Sequence, residues 1–296
     1  MGLLQLQHFK ALAERGHLTQ TAKELMISGP YLSASIARLE TKIGCKLFDR
    51  EGRHIKLNKA GEIYLKYTNE ILSMLENART EALEASGQAK MNLSVAISSP
   101  MVWLDAMQAF VKHHPDILIS HSLIRHDKLK DPNFCSKFDF IFASTTDMLL
   151  DGWACDTLIT DDKPTLAIYP GHRFARRKSV KMHELKDEKF ITVAKEFSIR
   201  KFFEDSCQAA GFTPKVAIEC DYMLRSTMLA AKVGIIFTTK LGAKGSTLQN
   251  AIFVPICDPP FPRSQGFFSN KQNYASKTTR QFREFILKYL QEKTFD

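Results

Sequence analysis

Three amphipathic helical patterns crowd into the first 44 residues, separated by glycine or serine-glycine-proline punctuation, and nothing else in this chain narrows its possible folds so far. Leu3, Leu6, Phe9 and Ala13 recur at helical spacing and stop at Gly16. Thr19 is a candidate N-cap for a second helix with the stripe Ala22, Leu25 and Met26, and Ser28-Gly29-Pro30 ends it with turn and cap chemistry. From Pro30 onward Leu32, Ile36, Leu39 and Ile43 form one apolar face that ends at Gly44. The pattern predicts a helix-turn-helix. The other face of the third helix carries Pro30, Tyr31, Ser33, Ser35 and Arg38, small or basic side chains that reach phosphates and base edges of double-stranded DNA. On an isolated helix such a face is usually only solvated; the two helices before it give it weight.

Beyond Gly44, the run from Lys46 to Leu57 alternates apolar and polar residues around Glu51-Gly52, as a short hairpin does. This is the expected wing, with Arg50, Arg53 and Lys56 placed to follow the DNA backbone or enter the minor groove. Charge distribution supports a polyanionic partner. The 296-residue chain carries +9 overall, and residues 1–60 hold ten Lys/Arg against five Asp/Glu, over half the excess in a fifth of the length. Residues 61–88 reverse the sign, and there Tyr64, Thr68, Ile71, Leu75, Ala78 and Ala82 step by alternating fours and threes, the seam of a helix that pairs with a second copy of itself.

From Asn92 the pattern becomes α/β. Strands are expected at 93–97, 117–123, 138–143, 165–169 and 234–238, with helices around 198–210 and 222–233, an alternation that implies a mostly parallel sheet. Ser98-Ser99, Ser144-Thr145-Thr146 and Phe197-Ser198 fall at strand-to-helix turns, where such sheets bind ligands; each cluster is equally readable as a simple helix cap. The six cysteines are scattered without a C-x-x-C pair, so reduced thiols and no metal site are expected. Phosphate-binding, nucleophile-elbow, zinc-protease and dinucleotide motifs are all missing, which argues against an enzyme and a cofactor. With no signal peptide or apolar run of spanning length, the expectation is a cytoplasmic protein with no membrane partner.

The stretch HLTQTAKELMISGPYLSASIARLETKIGCKLFDREGRHIKLNKAGE resembles the LysR-type transcriptional regulators through Thr19, Ala22, Leu25, Ser28, Pro30, Ser33, Ile36, Leu39-Glu40, Gly44, Leu47-Phe48, Arg50, Leu57, Ala60 and Gly61, with a weaker likeness to the end of the chain. The resemblance implies a winged helix-turn-helix over 1–60, a long dimerisation linker helix over 61–90, and an effector-binding domain over 91–296. That domain is similar to a type 2 periplasmic binding protein, with subdomain I over about 91–163 plus 266–296 and subdomain II over about 164–265. It further implies sequence-specific DNA binding and transcription regulation controlled by a small-molecule effector, self-association as dimer or tetramer, and RNA polymerase as a further partner. In the implied cleft the effector set is Ser98, Ser99, Ser144, Thr145, Thr146, Phe197, Ser198, Tyr222 and Thr238; Arg125, His126 and Arg225 suit an anionic effector if they line it. Thr19 joins the DNA-binding set by the same route.

Two departures bear on specificity. Gly29 stands where the family usually has a base-reading glutamine, and Ala34 where it often has a basic residue, so fewer direct base contacts are expected; a non-specific architectural DNA binder is the competing reading. Cys207 lies near one position of the cysteine pair used by the peroxide-sensing branch, but the partner position nine residues earlier is Ser198, which removes the reactive thiol and leaves Cys207 and Cys220 as a weaker pair.

Overall fold

The computed structural model describes residues 2–51, 54–245, 248, 250–258 and 263–292, apart from the side chains of Arg50, Glu51, His54 and Leu158. The chain divides into two compact units, one running to Ala89 and including Gln272–Ser276, the other running from Lys90 to Lys271 and resuming at Lys277.

The first unit contains α1 (Leu3–Arg15), α2 (Leu18–Glu24), α3 (Gly29–Ile43), the hairpin β1 (Phe48–Glu51) and β2 (His54–Leu57), and the 27-residue α4 (Lys59–Ala85). Helix ends follow local chemistry. Gly16 and Gly44 close α1 and α3 at φ 69° and 87°, a region where a side chain is strained, and their N–H groups donate to Leu12 O and Glu40 O. Ser28 Oγ accepts from Tyr31 N at 3.3 Å to start α3. The second helix departs from expectation: its N-cap is His17, not Thr19, and the Thr21 hydroxyl donates back to the His17 carbonyl at 2.8 Å.

Phe9, Leu12, Leu32, Leu39 and Leu47 are almost wholly buried between these helices and the hairpin. Burial of each such side chain contributes roughly 1.5–3 kcal/mol. The hairpin is antiparallel, with Phe48 opposite Leu57 and Glu51 opposite His54. It is fastened to the helices by Ile55 N donating to Gly16 O and by Phe48 against Phe9, ring centroids 5.4 Å apart.

In the second unit the chain runs β3 (Asn92–Ile97), α5 (Pro100–His113), β4 (Leu118–Leu123), α6 (Pro132–Cys135), β5 (Phe140–Ser144), β6 (Trp153–Ile159) and β7 (Pro164–Ile168). It continues β8 (Val180–Lys181), β9 (Lys189–Thr192), α7 (Ser198–Ala209), β10 (Lys215–Glu219), α8 (Leu224–Ala230), β11 (Ile236–Thr239) and α9 (Lys240–Lys244). It closes with β12 (Ile252–Asp258), β13 (Gln265–Asn270) and α10 (Lys277–Glu292). Strands β4-β3-β5-β13-β6 form one five-stranded sheet; β11-β7-β12-β8 form a second, beside the pair β10-β9.

Neither larger sheet is mostly parallel, contrary to the reading from alternation. In the first, β3 pairs in parallel with β4 and β5, but β13 runs antiparallel to both β5 and β6. The reason is topological: β13 is the strand on which the chain comes back after building the second sheet, so it enters from the opposite end. The second sheet is antiparallel where β7 meets β11 and β12.

Each sheet carries its own core. Trp103 and Phe110 of α5 and Phe282 and Ile286 of α10 pack on Phe142 and Phe267 of the first; Phe203 and Cys207 of α7 pack on Leu166, Phe190 and Phe237 of the second half. Two cores with strands crossing between them leave a cleft at the crossings.

Candidate functional site

On α3, burial separates the predicted DNA-facing residues into two groups. Pro30, Tyr31 and Arg38 are exposed, Ser33 is half-buried, and Thr19 is exposed on α2. Arg38 is steadied by its own helix, Nε donating to Ala34 O at 3.3 Å. Ser35 does not belong with them. It is 3% exposed and shares a 2.9 Å hydrogen bond with Nδ1 of His8 on α1, so its hydroxyl is spent inside the module. The ring edge of His8 also meets Tyr31, centroids 5.9 Å apart, and burial pushes the His8 pKa below the ordinary imidazole value. Gly29 faces open space, with no atom within 4 Å of where a Cβ would stand.

The wing is anchored by a residue that entered the sequence reading only as part of the family pattern, with no role. Glu40, 8% exposed, accepts from Lys46 Nζ at 2.7 Å and from Leu47 N at 2.9 Å, tying the end of α3 to the start of β1. Lys56 is exposed on β2; Arg53 and the side chain of Arg50 lie outside the described residues.

Along α4 the predicted seam divides: Ile71, Leu75, Ala78 and Ala82 are exposed, and Tyr64 and Thr68 are turned toward the module. Tyr64, half-buried, packs against Phe9, centroids 5.3 Å apart, and Thr68 is 1% exposed, so both are engaged within the module. The apolar residues left outside are Ile63, Tyr67, Ile71, Met74 and Leu75, at spacings of four, four, three and one. Ala78 and Ala82 are exposed further along. The helix must serve its own module first, and that claims the flank on which Tyr64 and Thr68 lie. The same unit takes in Gln272–Ser276, where Tyr274 N donates to Asn77 Oδ1 at 2.8 Å.

In the second unit a narrow recess lies where the two halves meet, about 330 Å³ of space when the open solvent at its mouth is included, lined by Ser99 to Val102, Ile199, Tyr222, Arg225, Thr238, Thr239, Gly242, Arg263 and Gln265. Of the nine predicted effector residues, Ser99, Tyr222 and Thr238 line it. Ser198 is bound to the wall behind it: its hydroxyl accepts from Arg263 Nη2 at 2.7 Å and donates to the Asp147 carboxylate. Ser144 and Thr146 bond each other at 2.9 Å, Thr145 N donates to Ser264 O, Ser98 is buried behind β3, and Phe197 stands edge-on to Tyr222; none of these five lines the pocket. Arg125 and His126 are engaged elsewhere, with Asp127 and Glu196.

Arg263 was missed. It lies on the return segment before β13, 3% exposed, and its Nη2 reaches both Ser99 at the start of α5 and Ser198 at the start of α7, so one guanidinium touches both halves of the unit. No periodicity or cap marks it. Burial pulls its pKa, and that of Arg225, down from the ordinary guanidinium value.

Cys207 is 0% exposed in the second core, and desolvation together with the nearby Glu204 carboxylate pushes its thiol up to about 12. A thiol held protonated in an apolar core is unreactive.

Comparison with known proteins bears on both units. Residues 3–62 match the family model described as bacterial regulatory helix-turn-helix protein, lysR family, and residues 84–291 match the LysR substrate binding domain. The chain is 26% identical over 299 residues to the uncharacterized HTH-type transcriptional regulator YybE of Bacillus subtilis, covering 97% of this chain and 99% of that one. It is 24% identical to the transcriptional dual regulator GltC of the same organism, covering 98% and 97%. Among solved structures, a full-length OxyR variant from Pseudomonas aeruginosa superposes with TM-score 0.68 at 17% identity, covering 98% of this chain and 95% of that one. Full-length CbnR complexed with its target DNA superposes with TM-score 0.58 at 19% identity, covering 97% and 99%.

Proposed function

Because this chain belongs to the LysR family of bacterial transcriptional regulators, we propose that it reads double-stranded DNA with the exposed face of α3 and the wing, as a self-associating assembly whose activity a small molecule in the cleft controls. The carrying observation is the division of α3. Leu32, Ile36 and Leu39 are buried in the module while Pro30, Tyr31 and Arg38 stand outside it, with Ser33 at the boundary. A helix docked firmly on two others and leaving one face free is what major-groove entry requires.

With Gly29 and Ala34 in place of longer polar side chains, direct base readout rests on few residues. Specificity then leans on DNA shape, wing contacts through Lys56, Arg50 and Arg53, and the spacing of two half-sites. The stripe from Ile63 to Leu75 supports self-association: five large apolar side chains exposed on one helix favour burial against a second copy. Assembly as a dimer or tetramer and contact with RNA polymerase are part of the same proposal.

Fluorescence anisotropy with fragments of the protein's own promoter region and scrambled duplexes of equal length tests the reading. At ~100–200 mM salt, where purely phosphate-driven affinity has fallen steeply, the promoter fragment is expected to bind more tightly than the scrambled one. Equal affinity would reject sequence-specific regulation and favour an architectural role.

A further inference from the structure

Among the described residues, buried arginines come in two kinds. Arg200, 4% exposed, is held by two carboxylates and a carbonyl: Nε donates to Glu204 and Nη1 to Val193 O and Glu219, at 2.8 to 3.1 Å. Arg263 is as deeply buried, yet Nε and Nη1 have no acceptor, so three of the guanidinium's five N–H groups are unmatched. Arg225, 5% exposed, is likewise without an acceptor at Nε. Both line the same pocket. Leaving a buried cation short of acceptors is costly, and two such cations facing one cavity call for a negatively charged ligand.

The walls define what kind. Arg225 stacks on Tyr222 at 4.4 Å and Arg263 on Phe202 at 4.8 Å, so both planar groups are held by aromatic faces and not by carboxylates. Asp147 and Asp162 act electrostatically on Arg263 and offset its charge, whereas the neighbours of Arg225, the Tyr222 phenol and the Cys220 thiol, are pushed up by burial and stay neutral, so a single negative group balances the pair. Lysine, the usual point-charge partner of a phosphate, is missing from the lining. Pro100, Met101, Val102 and Ile199 give the pocket an apolar part of its lining.

Taking this pocket as the effector site, we infer that its ligand is a small organic carboxylate, the carboxylate taken by Arg225 and Arg263 and the carbon skeleton lying against Pro100, Met101, Val102 and Ile199. Such a ligand completes the hydrogen bonding of a guanidinium that touches Ser99 and Ser198, and so acts on both halves of the unit at once.

Calorimetric titration and thermal-shift measurements on the full chain, with benzoate, propionate and succinate against benzamide, propionamide and succinamide, test it. At about 20 mM a ligand of millimolar affinity occupies most of the protein. At least one carboxylate is expected to bind and its amide not, with affinity falling roughly 30-fold or more in Arg225→Gln, the usual loss when one partner of a buried charge pair is truncated. Arg263→Gln is expected to do the same, and Arg263→Lys covers the case in which the neutral variant fails to fold. Binding of amides as tightly as carboxylates, abolished by filling the pocket with Met101→Trp, would overturn the carboxylate assignment and keep the effector pocket. Binding of neither class would overturn both.

Discussion

Gly61 joins the wing to the linker helix, and Gly61→Ala tests whether that joint carries the winged module. A Cβ at Gly61 would lie 2.1 Å from the Leu47 carbonyl oxygen and 2.7 Å from Leu57 Cδ2. Carbon to carbonyl oxygen contacts settle at roughly 3.3 Å, so the two segments must part by about 1 Å. The Leu57 side chain can rotate away. The Leu47 carbonyl cannot, since it accepts from Asn58 N at 3.1 Å, its own N–H is held by Glu40, and its side chain is 1% exposed. Overpacking of this kind costs ~1–3 kcal/mol and a lost or strained hydrogen bond ~1 more, so the module should lose ~2–4 kcal/mol. For a unit of this size that is a fall in Tm of roughly 10–25 °C. Urea denaturation separates the two units, because both tryptophans, Trp103 and Trp153, lie in the second. The tryptophan transition should hold while the helical far-ultraviolet transition of the first unit moves to lower urea, with DNA affinity lost in step. A first-unit transition within ~0.5 kcal/mol of the parent, the ordinary scatter of a neutral substitution, would refute the reasoning. Gly29→Ala, with no atom within 4 Å beyond its chain neighbours, is the control and should stay within about 1 kcal/mol of the parent, since the gain in helix propensity is set against the crowding of Pro30.

Arg38→Ala should weaken binding to all duplexes and reduce the slope of log affinity against log salt by about one if Arg38 meets a phosphate, whereas Ser35→Ala should leave that slope unchanged and cost stability of ~1–3 kcal/mol through the unsatisfied His8. An affinity loss in Ser35→Ala without a stability loss would place Ser35 on the DNA after all. Because His8 is neutral in the folded module and its unfolded form takes up a proton near pH 6.5, it contributes stability that is present above that pH and lost as pH falls below it, until the lowered folded value is reached. The acid limb of first-unit stability should be shallower in His8→Asn; an identical limb would discard this account. Cys207, with its thiol near 12, should resist iodoacetamide in the folded chain at pH 8 while the exposed Cys45, Cys155 and Cys257 react, as peptide mass mapping will show; modification of Cys207 at a comparable rate would contradict its burial.

What the amino-acid sequence determined by itself is everything written in local terms. Gly16, Ser28 and Gly44 end or begin helices by backbone chemistry that involves only their neighbours, and Leu32, Ile36 and Leu39 share a face because a helix has 3.6 residues per turn. The three helices, the wing, the linker and the α/β character of the rest were legible for that reason. Thr19 shows the limit even there, since the cap fell to His17, two residues earlier, directly after Gly16.

Partners far apart along the chain decided the rest. Ser35 lies on the flank of α3's apolar stripe, where a serine faces in or out according to what it meets; His8, 27 residues away, turned it inward. Tyr64 and Thr68 satisfy a heptad as well as Ile71 does, but the winged module took the first two and left the others outside. The family resemblance implied a return to the first subdomain near residue 266, but alternation of strands and helices is blind to the direction in which a returning strand enters, so the antiparallel course of β13 was invisible, and so was Arg263 beside it. That arginine acquires meaning only where two halves of a chain close around it, because burial without acceptors is a property of the cavity and not of the residue.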